Sequence, residues 1–65
     1  MKSYSSREVI QILNADGWYE CGCEGSHHQF KHSIKQGKVT VTHPIKDVPL
    51  PTLKNIEKQA GVKFP

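Results

Sequence analysis

The chain has 65 residues, with nine Lys and Arg against six Asp and Glu, which gives a formal net charge of +3 and a sequence pI of about 9.0. A chain of this length forms one domain with a small core, which excludes a deep cofactor cleft. Two cysteines one residue apart do not resemble a disulfide-rich secreted scaffold, and the N-terminus has no apolar run of the kind found in a signal peptide. No stretch of the sequence has the apolar length of a membrane span, so we expect a cytoplasmic protein.

The first predicted element is a helix that follows Ser5 and ends near Ala15. Ser5 and Glu8 fit a capping box, in which a hydroxyl and a carboxylate three residues apart each accept a backbone N–H. Gly17 suits the left-handed position just beyond the end of a helix. The apolar stripe of this helix consists of residues at helical spacing: Val9, Ile10 and Leu13, with Ile12 at one edge.

Three strands are predicted next, over residues 18–23, 27–32 and 38–43. The third alternates cleanly, because Val39 and Val41 fall on one side and polar residues on the other. Links of hairpin length join the strands, so we expect an antiparallel meander.

A second helix is predicted from Leu50 or Pro51 to Ala60, because proline is acceptable in a first turn and Gly61 can end the helix. Its apolar residues fall at helical spacing: Leu50, Leu53, Ile56 and Ala60. Two apolar residues beyond this helix are expected to pack back on the core: Val62 and Phe64.

The predicted order of elements is therefore α-β-β-β-α, in one domain that covers residues 1–65. Two helices with one apolar stripe each must cover one face of the three-stranded antiparallel sheet and leave the other face open. This α+β arrangement is the layout of the double-stranded-RNA-binding domain, a likeness of fold that does not by itself establish function.

The hairpin of the second and third strands has an unusual composition. All four histidines of the chain lie between His27 and His43, and neither Asp nor Glu occurs from Ser26 to Lys46. A cationic surface that is free of carboxylates favours contact with a polyanion. Imidazole also exchanges protons near neutral pH, so the hairpin is a candidate for proton transfer as well.

Short motifs follow one another along nearly the whole chain. They are DGW at residues 16–18, GSHHQFKH at 25–32, VTVTHP at 39–44, LKNI at 53–56 and KQAG at 58–61. In this order and spacing they resemble the HicA toxin family. The resemblance implies a double-stranded-RNA-binding-like fold and a toxin of a type II toxin–antitoxin pair that cleaves mRNA. It also implies a HicB antitoxin that masks the active site, and it implies no metal cofactor.

The resemblance implies one essential histidine in the Gly-Ser-x-His block, which maps to His28. The residue before it varies in the family between His and Asn, so His27 is the weaker candidate of the pair. Whether His28 acts as base, acid or both stays open, and His27, His32 or His43 are candidates for a second proton-transfer group.

The chemistry of RNA cleavage is consistent with this assignment. RNA carries its own nucleophile, the ribose 2′-hydroxyl, so the enzyme needs only to orient that group, move protons and stabilise the extra charge on phosphorus. Lysines can hold a phosphate, and a Gly-Ser turn offers backbone N–H groups and a hydroxyl. We therefore predict His28 as the catalytic residue. The predicted RNA contacts are Ser26, His27, Lys31 and Lys38.

Other interpretations of these residues stay open at this point. Cys21 and Cys23 are separated by one residue, whereas paired zinc ligands usually have two to four between them, so we predict no metal and interpret both as small, semi-buried strand residues. Strict alternation would place His28 on the same face as Phe30, towards the helices, unless a bulge or the strand end leaves it accessible.

Two further functions compete with the toxin hypothesis. One is a non-catalytic RNA-binding module of the same fold, which would bind RNA in a salt-sensitive manner without cleaving it. The other is a domain that binds only protein, or an inactive toxin, which would have no affinity for RNA.

Overall fold

The predicted order of elements is confirmed in a computed structural model of the protein, which describes residues 3–64. The elements are α1 (Ser6–Ala15), β1 (Trp18–Glu24), β2 (His27–His32), β3 (Val39–Thr42) and α2 (Leu50–Ala60). β2 begins and ends as predicted, whereas β1 is longer by one residue and β3 is shorter by one residue at each end. Neither helix within residues 3–64 has the length and apolar character needed to cross a bilayer.

Helix α1 begins with the predicted capping box. The N–H of Ser5 donates to Oε1 of Glu8 at 3.0 Å, and the N–H of Glu8 donates to Oγ of Ser5 at 3.2 Å. Beyond the helix, Gly17 has φ 101°, so it takes the left-handed conformation predicted for it. The predicted stripe faces the core: Val9 and Leu13 are buried, and Ile10 and Ile12 are partly buried against it.

Helix α2 ends at Gly61, which has φ 66° and donates its N–H to the carbonyl oxygen of Glu57 at 2.9 Å. Three of the four predicted apolar positions are buried, but Leu50 remains 44% exposed because it occupies the first position of the helix, outside the core. The residues after the helix pack back on the core as predicted: Val62 and Phe64 are buried, and the Phe64 ring lies 5.3 Å from that of Tyr4.

The three strands form an antiparallel sheet in the order β1-β2-β3. Its buried side chains all lie on one face and join the buried residues of both helices in a single core cluster: Trp18, Phe30, Val39 and Val41. Both helices therefore cover the same face of the sheet, as predicted, and we call it the helix-bearing face. The other is the open face.

Candidate active site

His28 lies near the start of β2, on the helix-bearing face. It pairs with Cys23 of β1 and with Val41 of β3, and cross-strand partners share a face. Val41 is buried, whereas 20% of the His28 side chain is exposed. His28 therefore points to the same side as Phe30, as strict alternation predicts, but it does so at the end of the sheet, where solvent still reaches the ring.

A bulge in β1 brings the side chain of Cys23 to the same face of the sheet as Glu20 and His28. The pairing register of β1 skips one residue, Cys21. Glu20 and Cys23 are three positions apart, so a regular strand would project them from opposite faces. Because the bulge adds one residue between them, both lie on the face of His28. The bulge thus lies on the neighbouring strand and not on that of His28.

The two ring nitrogens of His28 face different partners. Nδ1 lies 3.1 Å from Oε2 of Glu20, and Nε2 lies 3.7 Å from Sγ of Cys23. The Cys23 thiol itself donates to the carbonyl oxygen of Gly25 at 3.3 Å. An ionised carboxylate only accepts hydrogen bonds, so Nδ1 of His28 carries the hydrogen and the neutral ring keeps its lone pair on Nε2. Nε2 is therefore the nitrogen that can take a proton.

A second imidazole, that of His43, stands edge-on to His28, with ring centroids 5.4 Å apart and planes at 78°. The N–H of His43 donates to the carbonyl oxygen of Ser26 at 2.8 Å, which continues the hairpin beyond β3. Nδ1 of His43 lies 2.6 Å from Oγ of Ser6, a buried hydroxyl that also accepts the N–H of Ile45 at 2.8 Å. The start of α1 thus holds His43 beside His28.

His32, at the far end of β2, has both ring nitrogens engaged by the backbone. Nδ1 accepts the N–H groups of Ile34 at 3.0 Å and Lys35 at 3.1 Å, so Nε2 carries the hydrogen and donates to the carbonyl oxygen of Asp16 at 2.7 Å. The ring also packs edge-on against Trp18, with centroids 5.2 Å apart. His32 is held as a structural residue, which leaves His43 as the second imidazole of the site.

Lys35, one of the cations of the hairpin, also has a structural role. Its Nζ lies 2.6 Å from Oδ2 of Asp16 and donates to the carbonyl oxygen of Ala60 at 3.0 Å. The hydrogen bond from Lys35 lowers the pKa of the Asp16 carboxyl below its ordinary value of 3.8. This lysine therefore ties the end of α2 to the turn before β1.

The predicted RNA contacts lie apart from the catalytic candidate. His27 and Lys31 alternate with His28 along β2, so they project from the open face. Ser26 lies in the turn before β2, and Lys38 lies directly before β3. These four residues are all exposed. The structure brings His28 together with side chains from β1 and with His43, and not with the predicted lysines.

Glu20 and Ser6 were not predicted as members of the site, although the sequence holds a signal for each. Glu20 follows Trp18 by two residues, so the alternation that buries Trp18 also places a carboxylate on the helix-bearing face. Ser6 precedes Val9 by three residues and therefore lies on the apolar stripe of α1. A carboxylate or a hydroxyl at such a position requires a polar partner.

The interpretation of both cysteines as semi-buried is wrong. Cys21 and Cys23 are exposed and have free thiols. β1 is an edge strand in which every residue after Trp18 is exposed, because the helices cover only the first part of it.

Residues 6–62 match the family model described as the HicA toxin of bacterial toxin–antitoxin systems. The match includes both helices and all three strands. No curated protein sequence matches the chain significantly.

Proposed function

Because the chain belongs to the HicA family of toxins of bacterial toxin–antitoxin systems, we propose that it is a metal-independent endoribonuclease that cleaves mRNA with His28. The proposal includes a HicB-type antitoxin that covers the site, a single toxin domain over residues 1–65, and a cytoplasmic location, where mRNA is found. The observation that carries it is the half-buried imidazole of His28, which has a carboxylate on Nδ1 and a second imidazole beside it.

The reaction uses the nucleophile that RNA itself carries. The ribose 2′-oxygen attacks the adjacent phosphorus and the bond from phosphorus to the 5′-oxygen breaks, which leaves a 2′,3′-cyclic phosphate and a 5′-hydroxyl. One proton leaves the 2′-hydroxyl and another reaches the 5′-oxygen. We assign the first transfer to Nε2 of His28, because Nδ1 is committed to Glu20. The carboxylate of Glu20 stabilises the imidazolium that then forms.

His43 is our candidate for the second proton transfer, to the departing 5′-oxygen. Its ring lies next to that of His28, and the buried hydroxyl of Ser6 fixes Nδ1, so the ring is oriented before the substrate binds. His32 is a weaker candidate, because both of its ring nitrogens are engaged by the backbone.

Substrate binding is assigned to the exposed residues predicted from the sequence: Ser26, His27, Lys31 and Lys38. Ser26 lies in the turn between β1 and β2, at the border between the two faces of the sheet. A single strand of RNA that passes over this turn contacts the lysines with its phosphates on one side and reaches His28 on the other.

The test compares two adjacent histidines that project from opposite faces. His28→Ala is expected to lower the cleavage rate of purified protein on single-stranded RNA by about 10²–10⁴-fold and to abolish growth arrest on expression. His27→Ala is the matched control, and it is expected to change the rate by less than about tenfold because His27 contributes only to binding. An unchanged cleavage rate for a folded His28→Ala variant would contradict the proposal.

A non-catalytic RNA-binding module remains the second candidate, and the placement of His27 and Lys31 on the open face favours it. That function predicts RNA binding that weakens with salt, is reduced by Lys31→Ala, is insensitive to His28→Ala and yields no cleavage products.

The proposed antitoxin is tested through the reading frame adjacent to this one in the genome. Its product is expected to bind this chain, and the complex is expected to leave RNA intact.

A further inference from the structure

We propose that Cys23, His28 and Glu20 form a binding site for a thiophilic divalent cation such as Zn²⁺, and that the bound ion inhibits the protein. The binding itself stands on geometry alone. The inhibition rests on the proposed function, because it assumes that His28 is the catalytic residue.

The distance between the two direct ligands fits a tetrahedral ion. Sγ of Cys23 and Nε2 of His28 are 3.7 Å apart. With Zn–S bonds of about 2.3 Å, Zn–N bonds of about 2.0–2.1 Å and a tetrahedral angle, the two ligand atoms are expected about 3.6 Å apart. The observed separation of thiol and imidazole therefore already matches that of two ligands of one tetrahedral ion.

Glu20 completes the group, in which the ligand atoms of all three residues lie within 4.8 Å of one another. Its Oε2 already lies 3.1 Å from Nδ1 of His28. A carboxylate in this position fixes the tautomer that leaves Nε2 free for the metal and makes the imidazole a stronger ligand. Zinc prefers nitrogen and sulfur ligands of this kind, whereas magnesium and calcium require oxygen ligands.

The site is open to ions from solvent, because Cys23 and Glu20 are exposed and the ring of His28 is only partly buried. When the ion binds, the Cys23 thiol loses its proton to solvent and gives up its hydrogen bond to Gly25. Water molecules fill the remaining coordination positions. Cys21, the extra residue of the bulge, is not a member of this group among the described residues.

Inhibition follows from the identity of the nitrogen that the ion uses. Nε2 of His28 is the atom to which we assign the proton of the ribose 2′-hydroxyl, and a metal ion on its lone pair prevents that transfer. A cation at this position is therefore expected to stop cleavage while it leaves Lys31 on the open face free to bind RNA.

Binding is tested with Co²⁺ on reduced, metal-free protein, since a thiolate ligand gives cobalt a charge-transfer band in the near ultraviolet. We expect the band in the wild type and its displacement by Zn²⁺. Cys23→Ser should lose the band, and Cys21→Ser, the matched control on the same strand, should keep it. Glu20→Gln should weaken Co²⁺ binding by about tenfold or more. Absence of the band in the wild type, or its loss with Cys21→Ser but not with Cys23→Ser, would overturn the proposal.

Inhibition is tested with Zn²⁺ in the RNA cleavage assay. About one equivalent is expected to inhibit the wild type and Cys21→Ser, and a chelator should restore both. Cys23→Ser, with its own rate in chelator as the reference, is expected to need at least about tenfold more Zn²⁺ for the same fractional inhibition. Equal sensitivity of both variants would refute the inhibitory site. If no variant cleaves RNA while the cobalt band depends on Cys23, the ribonuclease proposal fails and the metal site stands.

Discussion

A histidine lies near each end of β2, but the two differ in their hydrogen-bond partners and in their exposure to solvent. His28 and His32 lie four residues apart on the helix-bearing face, and both have a partner on each ring nitrogen. The partners of His32 are backbone groups, and its side chain is 8% exposed. Those of His28 are the side chains of Glu20 and Cys23, and 20% of its own side chain is exposed.

This difference teaches that residue type and strand position do not decide whether a histidine is structural. Backbone partners are fixed by the fold, so the His32 ring cannot change its hydrogen bonds without moving the turn that follows it. Side-chain partners can rotate away at low cost, so the ring of His28 can exchange them for a substrate or an ion. We call the two regions the structural end and the reactive end of β2.

The largest predicted difference between the two ends is in the free energy of unfolding that is lost when the histidine is removed. His32→Ala removes three hydrogen bonds and the ring contact with Trp18, so we expect it to lower the free energy of unfolding by about 2–4 kcal/mol. His28→Ala should lower it by less than about 1 kcal/mol, because its partners stay solvated. Urea unfolding followed by circular dichroism measures both, and equal losses would remove the distinction between the two ends.

A second predicted effect on stability concerns Gly17, which lies beside the ring of His32 at the structural end. A Cβ at this position would lie 2.7 Å from Nε2 of His32, and the residue has φ +101°. Gly17→Ala therefore combines left-handed strain with displacement of the His32 ring, and we expect a loss of about 1–3 kcal/mol. Gly22→Ala is the matched control, since Gly22 has open space around its Cβ position. The two thermal midpoints should differ, with Gly17→Ala the lower.

At the reactive end, Glu20→Gln is expected to change the reaction more than the fold. The amide can still accept a hydrogen bond from Nδ1 of His28, but it no longer stabilises the imidazolium with a charge. Because the carboxylate of Glu20 is largely solvated, we expect a fall in kcat of about tenfold, or about 1.4 kcal/mol, with KM unchanged. A rise in KM at constant kcat would instead indicate a role in binding RNA.

The sequence predicted the fold better than the site, and the reason is physical. The order of the elements follows from local signals such as the capping box at Ser5 and the alternation around Val39 and Val41, and the structure confirms both signals. His28 was singled out by family resemblance. Its contact with Cys23 depends on a bulge that no local pattern around Gly22 required, although the alternation from Trp18 places Glu20 on the same face.

The same limit explains why His32 and His43 could not be separated from the sequence. Each lies in the cationic hairpin, and each ring has one partner far away along the chain. Asp16 binds the ring of His32, and Ser6 binds that of His43, across separations of 16 and 37 positions. Composition and spacing within the hairpin contain no information about these partners.

The smallest predicted effect concerns the pH dependence of the structural end. Lys35 lowers the pKa of Asp16 below its ordinary value of 3.8, and the ring of His32 lies 4.0 Å from the same carboxylate. A carboxyl whose pKa is lower in the folded than in the unfolded protein stabilises the fold above its unfolded pKa. That contribution is lost as the pH falls through the folded pKa. The wild type should therefore exceed Asp16→Asn in thermal midpoint at neutral pH by a small amount.

This advantage of the wild type over Asp16→Asn is expected to shrink below about pH 4 and to vanish once the carboxyl is protonated in both states. Thermal unfolding at several pH values, at low and high salt, measures it. Salt should reduce the advantage at neutral pH, because the pair of Asp16 and Lys35 is partly exposed. Asp47→Asn, which removes the same charge at an exposed residue between β3 and α2, is the control for the change in net charge. If the thermal-midpoint advantage of the wild type over Asp16→Asn grew as the pH fell, the charge of Asp16 would oppose folding. The hydrogen bonds of His32, and not the ion pair of Asp16 and Lys35, would then stabilise the structural end.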